Sequence, residues 1–136
     1  MYPRHTTEDH IKKSEHDCSL AQSLSERQDF YDWTIICAFH FALHCIEAYA
    51  HKTGKESQLQ PNIGDRESIH RKRERFVKQY LSEYFAIYER LFEKSRQSRY
   101  DPTYYEKIRN LRDYHKRLFQ EAIKLKNILH NKEISL

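Results

Sequence analysis

The segment Trp33–Ala50, WTIICAFHFALHCIEAYA, constrains this chain more than any other part of it. Its apolar residues do not keep to one stripe. Trp33, Ile36, Cys37 and Leu43 fall toward one side at helical spacing, and Ile35, Phe39, Ala42, Ile46, Tyr49 and Ala50 toward the other. A helix that is apolar all round escapes water only by being surrounded, so the segment predicts the central helix of a helical fold. His40, His44 and Glu47 inside the run argue against a membrane span.

The rest of the chain agrees with this reading. Gly 2 and Pro 3 in 136 residues are too few turn formers for a multi-stranded sheet, and 13% aromatics oppose disorder. The length suits a single domain, 1–136, with a real core. Four helical segments are expected. The first runs from about Glu8 to Arg27, capped by Thr6 or Thr7, and the second from Asp29 or Asp32 to just before Gly54. After a loop over residues 53–65, a third spans about Glu67 to Ser98, with Val77, Tyr80, Leu81, Tyr84, Tyr88, Leu91 and Phe92 on its stripe. Asp101-Pro102 then breaks the chain. A fourth helix follows, with Asp101 as cap, Pro102 at its first position and a Thr103-x-x-Glu106 capping signal. The expected fold class is all-α, an antiparallel four-helix (up-down) bundle with a loop between helices two and three.

A net charge of +4 permits RNA as a partner without demanding it. Three cysteines without a framework spacing read as free thiols of a reducing compartment. The N-terminal MYPRHTTEDHIKK has no apolar stretch after its charges, so the expectation is a cytoplasmic protein off the membrane.

Three stretches together resemble a known family. DFYDWTIICAFHFALHCIEAYAHKTG (29–54) resembles the second helix of HEPN domains, with Phe39-His40 at the aromatic pair and Leu43-His44 at the hydrophobic-His pair. IHRKRERFV (69–77) looks like the His-led segment after the family's loop. RQSRYD (96–101) resembles the break before its last helix. His40 departs from the usual second aromatic. The resemblance implies a small helical bundle, often a homodimer, of toxin–antitoxin or defence type. It also implies partnership with a minimal nucleotidyltransferase. Some members are metal-independent RNases built on an Arg-x4–6-His motif, and others have lost it and only bind.

Arg109 and His115 fit that motif as Arg-x5-His, headed by Arg-Asn. Roughly two such pairs are expected by chance in a chain of this composition, and Arg4/His10 is the other. Position on the last long helix favours the first pair. In an RNase reading, His115 is the general base for a ribose 2′-OH and Arg109 stabilises the phosphorane, with Arg112 or Tyr114 assisting. Around one helix the two stand about 120° apart, so a shared cleft needs two chains. The bland alternative is a buried His115 with Arg109 and Arg112 on a solvated edge.

Basic residues offer a second lead. His70, Arg71 and Arg73 crowd the start of helix three beside Arg66, Lys72 and Arg75, where cations oppose the helix dipole unless an anion arrives. Arg96 and Arg99 stand at the other end of that helix. With Arg112, these make the candidate RNA or nucleotide surface, against the alternative of a solvated face. Cys37, His40 and His44 share a helix face at ligand-compatible spacing, but their apolar neighbours favour a core histidine, and neither a metal nor a cofactor is expected.

Overall fold

The computed structural model describes residues 5–26, 31–61 and 67–132; for residues 31 and 105–112 only the backbone helix is described. It is all-helical, with six α-helices and no strand among the described residues. They are α1 (Thr7–Ser25), α2 (Tyr31–Lys52), α3 (Ile69–Tyr80), α4 (Phe85–Tyr100), α5 (Tyr104–Ile123) and α6 (Leu125–Asn131).

Helix α2 is the central element and packs against α1, α4 and α5. Ile35, Ala38, Phe41, Ala42, Cys45, Ile46 and Ala50 are completely buried, as all-round apolarity requires. By length and composition Asp32–Lys52 could cross a membrane, but most of that stretch is buried inside the fold. Contacts fix the directions. His10 meets His44 and His51 while Asp17 faces His44, so α1 runs opposite to α2. Phe39 packs on Tyr88 and Phe92 of α4, and Tyr84 meets Ala122 while Lys94 meets Tyr114, so α4 and α5 also oppose each other.

Local chemistry sets the helix ends. Thr6 Oγ1 accepts from the Asp9 amide at 3.1 Å and the Asp9 carboxylate accepts from the Thr6 amide at 2.9 Å, a reciprocal cap on α1. At the end of α2, the Gly54 amide donates to His51 O and the Lys55 amide to Ala50 O, with Gly54 at φ +71°. This is the Schellman closure, whose left-handed residue favours glycine. Ser68 caps α3 through the Arg71 amide.

The four expected segments are further divided. The third is not continuous from 67 to 98: Leu81 leaves helical geometry at φ −132°, ψ 48°, and residues Ser82–Tyr84 form a short 3-10 turn. No Gly or Pro marks this break. Its cause is tertiary, since Leu81 and Tyr84 are both fully buried and Tyr84 Oη donates to Ala122 O at 2.8 Å across the fold. The fourth segment bends at Lys124 between α5 and α6, where that same Ala122 carbonyl also accepts from the Lys124 amide. The break at Asp101-Pro102 stands as expected, with a shift of two residues. Helix α5 begins at Tyr104, and the Asp101 carboxylate accepts from both the amide and the hydroxyl of Thr103 instead of capping directly.

Candidate functional site

Around α2, positions 33, 40, 44, 47 and 51 point within about 40° of one direction. They are Trp33, His40, His44, Glu47 and His51, the one polar stripe on an otherwise apolar helix. Trp33 is 54% exposed and the other four are half-buried. The stripe runs beside α1, which contributes His10, Lys13 and Asp17, and Arg73 of α3 reaches it from the other side. His40 and His44 are therefore not sealed core residues. Both are half-buried where α2 meets α1, and the stripe with its α1 and α3 neighbours forms a partly exposed polar groove.

The groove holds a chain of polar contacts. His10 Nδ1 and His44 Nδ1 stand 3.1 Å apart, so one donates and the other accepts, and both cannot carry a proton there at once. His44 Nε2 lies 4.0 Å from Oδ2 of Asp17, which is 4% exposed. That oxygen has no hydrogen-bond partner, whereas Oδ1 accepts from Lys13 Nζ at 2.9 Å. Arg73 Nε stands 3.8 Å from Glu47 Oε1, too long for a hydrogen bond.

Burial dominates the titration of this group. It holds His44 down at about 4, with the neighbouring His10 adding to the effect and Asp17 opposing it. His10 and His40 are lowered for the same reason, and Glu47 is raised by burial against the pull of Arg73 and His51. At neutral pH the groove offers uncharged imidazoles, which accept protons or bind metals. His10, Glu47 and His51 bring one donor atom each within 4.8 Å of one another. The set Cys37, His40 and His44 does not converge in this way: Cys37 is buried beneath the stripe.

The sequence-derived residues are dispersed. His115 is fully buried, and Tyr104 Oη lies 2.7 Å from its Nε2. That burial is the arrangement of the bland alternative. The side chains of Arg109 and Arg112 lie outside the described residues, as does Arg66. On α3, Arg73 faces Glu47, Arg75 pairs with Glu67, and Lys72 is buried with its Nζ donating to Gln60 O at 2.7 Å. His70 stacks flat on Phe92 and approaches Tyr88 Oη at 3.3 Å. Arg71 is exposed. Arg96 lines an open pocket with Glu89, Phe92 and Glu93, and Arg99 lies over the exposed ring of Tyr100. Acidic partners thus divide the basic cluster, and no continuous cationic face forms from it among the described residues.

Comparison with family models, curated proteins and solved structures returns no match.

The sequence offered weak signals for its missing members. Glu47 and His51 are an i, i+4 pair on α2, visible in principle. His10 and Asp17 come from a helix whose facing side only the packing defines.

Proposed function

We propose that this chain is a HEPN-like four-helix bundle acting as a non-catalytic binding module for single-stranded RNA or its nucleotides. Its ligand lies along the α2 groove. The carrying observation is the contrast between two histidine environments: His115 is sealed against Tyr104, whereas His40 and His44 are half-buried in a polar stripe that Arg73 approaches at Glu47 and that ends on an exposed Trp33. An exposed indole gives a base a stacking surface, and the weak positive fields of Arg99, Lys13 and Arg73 at His40, set against the larger one of Asp17, favour an anionic ligand nearby. The resemblance to HEPN proteins supports a homodimer and a nucleotidyltransferase-type antitoxin partner in the cytoplasm as the setting.

Trp33 is the single tryptophan, so its fluorescence reports on the groove directly. Titration with a short single-stranded RNA at low salt is expected to quench it. Arg73→Gln and Arg99→Gln should each weaken binding by about tenfold, one charge-assisted contact apiece. Undiminished binding in the double variant overturns the reading. So does RNA cleavage in EDTA that His115→Ala abolishes in a folded protein, because that restores the metal-independent endoribonuclease of Arg109 and His115.

A further inference from the structure

We propose that His10, Glu47 and His51 form a binding site for a divalent transition metal, with zinc the ion their donor set suits. The site lies at the far end of the groove from Trp33. It goes beyond the RNA-binding reading and does not depend on it.

The placement comes from two helices. Glu47 and His51 are four residues apart on α2, so their side chains project one turn above the other. His10 arrives from the second turn of α1, which the antiparallel packing lays alongside, with its ring centroid 5.1 Å from that of His51. One donor atom from each residue lies within 4.8 Å of the others. Ligands at zinc–nitrogen distances of about 2.0–2.1 Å stand roughly 3.3 Å apart in a tetrahedron. Each pair of donor atoms therefore stands at most about 1.5 Å farther apart than in a closed tetrahedral site. Two imidazoles and a carboxylate match zinc in donor type, and three protein ligands leave a fourth position for water or an incoming ligand.

The surroundings add support. His44 holds one edge of His10 through the 3.1 Å Nδ1 contact and is itself backed by the buried, unpartnered Oδ2 of Asp17. A carboxylate behind a histidine that orients another histidine is the kind of outer shell that fixes ligand rings. The groups that oppose a cation are also identifiable. Arg73 stands beside Glu47 but makes no hydrogen bond through Nε, so the carboxylate is not locked away from an ion. His5 and Lys13 lie on the α1 side. The Lys13 and Arg73 charges predict an exchangeable site weaker than a four-ligand structural one.

The test uses the tag-free full chain, stripped with EDTA and free of nucleotide. Cobalt(II) titration should produce the visible bands of tetrahedral coordination, and zinc should co-elute at about one equivalent after gel filtration. Glu47→Gln and His51→Gln are each expected to weaken cobalt binding tenfold or more, while exposed His16→Ala leaves it unchanged. Less than about a tenth of an equivalent in the wild-type chain overturns the proposal, whatever the variants do. So does a strong sulfur-to-cobalt band, which would move the metal to Cys18, or undiminished binding in the Glu47→Gln/His51→Gln double variant with native helicity. RNA binding by Trp33 fluorescence in EDTA is read separately, so failure of either proposal is visible without the other.

Discussion

Tyr104 Oη and His115 Nε2 meet at 2.7 Å in the interior, the first residue of α5 joined to a ring eleven positions along the same helix. Both residues are buried, and the rings are edge-to-face at 5.7 Å. A histidine that is completely shielded and bonded to a phenol ties the start of α5 to the core. Burial raises the Tyr104 phenol to about 12, so it stays protonated and able to donate.

Removal of that phenol tests the structural role. Tyr104→Phe keeps the ring and withdraws one partner of a buried imidazole, which should cost about 1–3 kcal/mol in urea unfolding. RNA binding along the groove, on the other flank of α2, should be retained.

Gly54 gives a sharper local prediction. A Cβ there meets nothing within 4 Å, so space is not the obstacle, but φ +71° is. Gly54→Ala is expected to lose about 1–2 kcal/mol, and Gly54→Asn clearly less, because asparagine tolerates the left-handed region. Thermal melts of both variants check the order.

Carboxylate crowding on α4 predicts a pH-dependent gain. Burial raises Glu89 above the ordinary carboxylate range, and Glu74 and Glu93 push it further in the same direction. An acid raised in the folded state binds its proton more tightly than in the unfolded chain. Its stabilising contribution is therefore present below the unfolded value near 4.5 and lost as pH rises through the folded one. Glu89→Gln should thus stabilise the protein at pH 7, by less than about 1 kcal/mol because the group is only partly buried, and bring no gain at pH 4. Urea midpoints at the two pH values in EDTA decide it.

The cysteines should separate in reactivity. Burial pushes the Cys45 thiol up to about 12 and also raises Cys37, while Cys18 is only half-buried. Native protein treated with a disulfide reagent should label Cys18 first and leave Cys45 unmodified until unfolding, as read by mass spectrometry of the peptides.

The sequence by itself determined that this chain is helical, where most helices begin and end, and which one is central. Those properties follow from local periodicity and capping: the all-round apolarity of Trp33–Ala50, the pairing of Thr6 with Asp9, Gly54 beyond α2 and the stop at Asp101-Pro102 each act within a few residues. Tertiary structure decided the rest. The break at Leu81–Tyr84 has no local breaker and exists because a buried Tyr84 hydroxyl finds the Ala122 carbonyl. Likewise, no local pattern shows that His115 is sealed while His44 borders a groove, since both sit among apolar neighbours. The difference lies in which flank another helix covers. The site itself is assembled from His10, Asp17, Glu47, His51 and Arg73, residues that three helices bring together only once they have packed.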